Sequence, residues 1–157
     1  MSDTVAKSRA VGSTVRLLSL LVIVAGVVML IGGAATWFTV QSQLADERIT
    51  VSDDADWFAG EKIDGPLTAY AEAEVIEKHS LEASGGKTYA ELDRQDPTRQ
   101  TVMTGSFLRS SLFTSVVSFG IAAMVMGLGV VLALIGYALL SLSRRLDALP
   151  STASSTS

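Results

Sequence analysis

The sequence predicts an all-α membrane protein, a hairpin of two transmembrane helices with a small, mainly helical extracytoplasmic domain on the loop between them. Three observations predict it. Twenty-nine consecutive uncharged residues separate Arg16 from Asp46, and 34 more separate Arg109 from Arg144. Charged residues make up only 18% of the chain, against about 25% in ordinary soluble domains. The mean hydropathy over the 157 residues is +0.41. This pattern excludes a soluble globule and a disordered chain, and a pI near 4.9 excludes a nucleic-acid binder. Cysteine is absent and histidine occurs once, at His79. Disulfides, thiolate chemistry and any metal centre needing two imidazoles from one chain are therefore excluded. No catalytic, cofactor or metal site is assigned.

A bilayer core about 30 Å thick is crossed by roughly 20 apolar helical residues. The first span, residues 17–45, follows a short N-terminal segment, residues 1–16. Its apolar part, LLSLLVIVAGVVMLIGGAATWFTV, closes on Trp37 and Phe38 as interfacial anchors. A cleaved signal peptide is the alternative, with Lys7, Arg9 and Arg16 before the run and Gly33-Ala34-Ala35 offering a cleavage site within residues 1–35. The run exceeds the roughly 7–15 apolar residues of such peptides, which favours a retained span. The second span, residues 110–143, is longer than one crossing and implies tilt or extension past the lipid.

Charge sets the expected orientation. Residues 1–16 carry +2 and residues 144–157, a tail expected to be disordered at its end, carry +1. The loop 46–109 holds 14 acids against seven bases. Basic flanks stay inside, so both termini are expected in the cytoplasm and the acidic loop outside the plasma membrane, although 64 residues is near the length where that rule weakens.

Small residues predict helix packing, because lipid supplies little hydrophobic drive and close backbone approach takes its place. Ser19, Gly26 and Gly33 form one stripe on the first span. On the second, Gly120, Ala123 and Gly127 form one stripe and Gly129, Ala133 and Gly136 a neighbouring one. One stripe is expected to pack the two spans together and the other to serve an oligomer or a membrane partner. Neither span contains an ionisable residue, which argues against active transport. A homo-oligomeric pore is an alternative whose polar wall would be Thr36, Thr114, Ser115 and Ser118, unless those hydroxyls bond back to their own helices.

The loop holds 23 apolar side chains, a marginal core in isolation. Ile49-Thr50-Val51 reads as extended and Ser52-Asp53-Asp54 as a turn. Gly65-Pro66 starts a helix to Ala83, with Ala69, Ala73, Ile76, Ser80 and Ala83 on one face and a Glu74–Lys78 pair at i,i+4. Ser84-Gly85-Gly86 stops it. Thr88 and Glu91 have capping-box spacing, predicting a short helix to Arg94. Asp96-Pro97 then caps a helix expected to run through Ser143, about 70 Å long.

Candidate chemistry in the loop is sparse. Asp53, Asp54, Asp56 and Asp64 could suggest a calcium site, but lack the spacing and closing glutamate of an EF-hand, and a solvated acidic turn is preferred. His79, with Glu72 and Glu82 nearby in sequence, is a conceivable acid or base. Gly85-Gly86-Lys87-Thr88 lacks the first glycine and preceding strand of a phosphate-binding loop. Trp57-Phe58 reads as a second interfacial anchor, or as a hot spot for a partner.

The segments ITVSDDA (49–55), GPLTAY (65–70), LEASGGKTYAELDRQDP (81–97) and SFLRSSLFTSVVSFG (106–120) resemble a family of small actinobacterial two-pass membrane proteins, the likeness covering roughly residues 15–140. The resemblance implies the two-span fold and brings no established activity or functional residues with it, although some members carry a label as aromatic ring-opening dioxygenases. Such chemistry ordinarily takes iron held by two His and a carboxylate, and this chain has one His. The expected function is that of a non-enzymatic cell-envelope protein embedded in the lipid bilayer, with a second copy or another envelope membrane protein as its partner.

Overall fold

A computed structural model describes the backbone of residues 2–147 and the side chains of residues 13–145. It is all-helical: α1 spans Ser2–Asp46, α2 Pro66–Ala83 and α3 Arg99–Asp147. Among the described residues there is no strand, only one isolated antiparallel bridge between Thr50 and Lys62. Helix α1 reaches back through residues 2–16, so the basic segment continues the first span without a break. The expected disordered end of the tail, residues 148–157, lies outside the described residues. Two helices, within Ser13–Asp46 and Arg99–Arg145, are long and apolar enough to cross a membrane.

The segment between α1 and α2 is built from short-range turns. The Arg48 N–H donates to the Ala45 carbonyl at 3.1 Å and ends α1, with Arg48 at φ +53. Ile49–Val51 is extended, as its β-branched residues suggest. It pairs with the returning residues 61–63: the Val51 N–H donates to Glu61 O at 2.8 Å and the Ile63 N–H to Ile49 O at 3.1 Å. This places Val51 and Ile63 together, both 1% exposed.

Helix α2 starts with Pro66 at a position where the missing N–H costs nothing. The Gly65 N–H donates to Thr68 Oγ1 at 3.2 Å, which satisfies the donor just before the helix. At the other end the Gly86 N–H reaches Leu81 O at 2.7 Å and the Gly85 N–H reaches Glu82 O at 3.2 Å. This is a Schellman motif, and it requires the left-handed φ that Gly85 adopts, +66; Gly86 follows at +86. The buried residues are Thr68, Ala69, Ala71, Ala73 and Val75. The buried face is broader than the single stripe expected, and Ala83 lies outside it, exposed. Ala71 joins the core with Val51 and Ile63, while Tyr70 stacks edge-on against Phe113 of α3, so the helix is covered from two sides.

The short helix expected from Thr88 to Arg94 does not form. Glu91 does reach back to the Thr88 N–H at 2.8 Å. However, the Thr88 hydroxyl also donates to Glu91 rather than accepting from a helical N–H. Asp93 and Asp96 then accept from backbone N–H groups two residues on, at 3.2 and 2.8 Å. These Asx turns compete with helix nucleation. The second of them leads into α3, which begins at Arg99, two residues later than Pro97, and continues past Ser143 to Asp147.

The chain divides into two compact units, one formed by residues up to Gly32 with those from Met124 onward, the other by Gly33–Ala123. The second unit is wider than the loop 46–109, because its core draws on the helices. Leu44 of α1 and Leu112 and Phe119 of α3 are buried with Val51, Ile63, Ala69, Ala71 and Ala73. The excess length of the second uncharged run is thereby explained: Leu112, Phe113, Val116 and Phe119 serve a protein core.

Candidate functional site

In the first unit the closest packing is a seam between α1 and α3. Ser19, Gly26, Gly129 and Gly136 are buried and Ala133 is half-buried. A Cβ on Gly26 would stand 2.6 Å from the Gly129 carbonyl oxygen and 2.8 Å from the Ala133 nitrogen. A Cβ on Gly129 would stand 2.7 Å from the Gly26 oxygen, and one on Gly136 would stand 2.9 Å from the Ser19 oxygen. The order of contacts, Gly26 with Gly129 and Ser19 with Gly136, is antiparallel. Here backbone lies on backbone, the approach that small residues permit in a bilayer. The Ser19 hydroxyl donates to Val15 O at 2.7 Å, so burying it leaves no unpaired donor.

The other stripe points elsewhere. Gly120, Ala123 and Gly127 are exposed, and a Cβ on Gly120 or Gly127 would meet nothing within 4 Å. Gly33, buried, falls in the second unit. Of the hydroxyls considered for a pore wall, Thr114 and Ser118 donate to carbonyls four residues back at 2.8 Å, and Ser115 does so at 3.4 Å. Many large apolar side chains of both helices remain open, Leu17, Val24, Val28, Ile31, Met124 and Leu134 among them. Only 17% and 22% of the most apolar windows of α1 and α3 are buried.

In the second unit each aromatic pair divides. Trp37 turns inward, edge-on to Phe119 with ring centroids 4.7 Å apart, while Phe38 is exposed. Trp57 is 63% exposed, whereas Phe58, at φ +59, packs on the core. Phe58 therefore serves the domain interior, and among these four the outward rings are Phe38 and Trp57.

The charged groups pair across elements. Asp54 Oδ2 lies 2.9 Å from His79 Nε2 and accepts from Lys78 Nζ at 3.2 Å. The expected Glu74–Lys78 pair is replaced by this contact, and the acidic turn, solvent-exposed at Asp53, Asp54 and Asp56, is clasped to α2 through Asp54. His79 is not grouped with Glu72, whose carboxylate accepts the Ser52 N–H at 2.7 Å and its hydroxyl at 3.1 Å. Glu74 instead raises the Tyr70 hydroxyl above its ordinary pKa through a hydrogen bond. Arg109 Nη2 meets Glu77 at 2.7 Å, with its guanidinium over the Phe113 ring. Gly85-Gly86-Lys87-Thr88 is taken up by the Schellman stop and the Thr88–Glu91 turn. Asp53 and Asp56 are exposed. Among the described residues no group of three or more His, Cys, Asp or Glu is placed to hold a metal ion. The Asp54–His79 and Glu77–Arg109 contacts were not visible in the sequence, since partners so far apart leave no periodic signal.

The clasp has a pH dependence of definite sign. The bonds from His79 and Lys78 hold the Asp54 carboxyl below its ordinary 3.8, and the bond to Asp54 raises Lys78 above 10.5. A depressed carboxyl contributes stability that is present above its unfolded pKa and lost as pH falls through the folded value. The raised lysine contributes below its unfolded pKa and loses this as pH rises through the folded value. Asp54→Asn is therefore expected to reduce the acid sensitivity of the domain below about pH 4, read by tryptophan fluorescence during acid titration in mild detergent. An unchanged acid transition would contradict the clasp.

Compared with protein-family models, curated proteins and solved structures, the chain matches none.

Proposed function

We propose that this chain is a non-enzymatic integral membrane protein of the cell envelope, with both termini in the cytoplasm and the acidic loop domain outside the plasma membrane. The observation that carries the reading is the apolar surface left open around the glycine seam. A soluble protein would cover such helices with its own chain, whereas here most of the apolar windows are exposed. Lipid is the natural cover for that surface. Lys7, Arg9 and Arg16, ahead of the apolar run of α1, and Arg144 and Arg145 near the end of α3 support the orientation.

The exposed stripe at Gly120, Ala123 and Gly127 supports contact with a second copy or another membrane helix, making the protein an accessory or structural partner. The pore reading is weaker, because the hydroxyls at Thr114, Ser115 and Ser118 are turned back onto their own helix. The dioxygenase label attached to the resembling family finds no two-histidine iron site to support it. Membranes from cells expressing the full chain, washed with alkaline carbonate, test the proposal. The protein is expected in the pellet, extractable only with detergent; recovery in the carbonate supernatant would overturn it.

A further inference from the structure

The Gly33–Ala123 unit contains an open cleft of about 510 Å³ between the end of α1, the extended segment after it, α2 and α3. This lies within the roughly 300–1,000 Å³ range of small-molecule sites, which are mostly apolar with a few placed polar groups. Its apolar lining is Leu44, Ile49, Ile76, Leu108 and Leu112, and Thr50 and Ser111 add neutral polar groups. Leu44 and Leu112 form a closed floor in the domain core, whereas Leu108 is 53% and Ile49 41% exposed. The cleft thus presents uncovered aliphatic surface over a buried floor.

Charge is confined to Glu47, Arg48 and Glu72. Both carboxylate oxygens of Glu72 are occupied by Ser52, so Glu72 belongs to the wall. Glu47 and Arg48 are exposed and adjacent, and they offer one negative and one positive group beside the apolar opening. We propose that the cleft binds one acyl chain of a zwitterionic phospholipid or lysophospholipid, with the phosphate toward Arg48 and the ammonium group toward Glu47. The opposite charges of the two side chains match those of that headgroup. An anionic lipid would satisfy Arg48 alone and face Glu47 and the −7 field of the loop 46–109. The inference rests on the membrane reading above and adds to it a defined lipid site within the loop domain, distinct from the lipid that surrounds the spans.

The probe is a lysophosphatidylethanolamine with a diazirine in its acyl chain, added to phosphatidylcholine vesicles holding the full chain and followed by peptide mapping. Crosslinks are expected at Ile49, Ile76 and Leu108, in addition to those at the lipid-facing residues Val24, Val28 and Ile31. Leu108→Glu, at an exposed position that tolerates charge, should lower cleft labelling about tenfold and leave the span labelling unchanged. Arg48→Gly, which suits the left-handed backbone there, should remove the preference for this probe over a monoacylglycerol bearing the same diazirine chain. Labelling of the spans with none in the cleft would overturn the lipid site alone, whether the cleft is empty or closed by a second copy. The same follows if Leu108→Glu and Arg48→Gly both leave cleft labelling as it was. Loss of labelling at the spans as well would overturn the membrane reading with it.

Discussion

Gly26→Leu is expected to destabilise the protein, while Gly127→Leu on the other small-residue stripe is expected to leave it as stable as before or slightly more so. Each change replaces the poorest helix former after proline with one of the best, which by itself favours the variant by up to about 1 kcal/mol. At Gly127 nothing lies within 4 Å of the added Cβ, so propensity is the only intrachain effect. At Gly26 the first added atom already lies 2.6 Å from a backbone oxygen, and backbone cannot step aside as a side-chain tip can. Overpacking of this kind costs typically about 1–3 kcal/mol, occasionally more, and outweighs the propensity gain. Thermal unfolding in mild detergent, followed by circular dichroism, reads the two signs. Gly127→Leu should instead weaken association between copies or with a partner helix, seen as loss of chemical crosslinking. Equal stability of the Gly26 and Gly127 variants would contradict the seam.

Phe119→Ala should have an effect of similar or greater size on the loop domain. Phe119 is the largest of the fully buried side chains, 1% exposed, and it touches Trp37 edge-on. Truncating a buried phenylalanine to alanine costs about 3–5 kcal/mol through lost transfer energy and the cavity left behind. Because Trp37 loses its ring partner, its emission should shift to the red, best seen in a Trp57→Phe background that removes the exposed tryptophan. Phe119→Leu retains most of the volume and should cost less than about 1.5 kcal/mol. If Phe119→Ala behaves like Phe119→Leu, Phe119 lies against lipid rather than in a protein core.

The features legible in the sequence were those with local causes. Pro66 and the Gly85-Gly86 pair bound α2 because a missing N–H and left-handed φ act within one turn, and the all-helical architecture followed from two long uncharged runs. What was not legible depended on tertiary competition. Lys78 has a good partner at Glu74 by helix spacing, yet Asp54, brought over by the turn before α2, captures it. Thr88 and Glu91 make a capping contact without a helix, because Asp93 and Asp96 hold the next backbone donors in turns. Hydropathy cannot distinguish a leucine facing lipid from one facing protein, so Leu112 and Phe119 read as part of a span. For the same reason Phe58 read as an interfacial ring, although its left-handed backbone turns it into the core. The two glycine stripes on α3 are alike in composition; only the structure shows Gly129 and Gly136 against α1 and Gly127 exposed.

The orientation of the hairpin can be measured directly, because the chain has no cysteine and every introduced thiol is therefore unique. Single cysteines at Ser13, Lys87 and Arg145 sample the start of α1, the loop domain and the end of α3, all at exposed positions. With a membrane-impermeant maleimide on intact cells, Lys87→Cys should be labelled and the other two should react only after permeabilisation. Labelling of Ser13→Cys or Arg145→Cys from outside, or protection of Lys87→Cys, would contradict a two-span protein that displays an acidic helical domain on the outer face of the membrane.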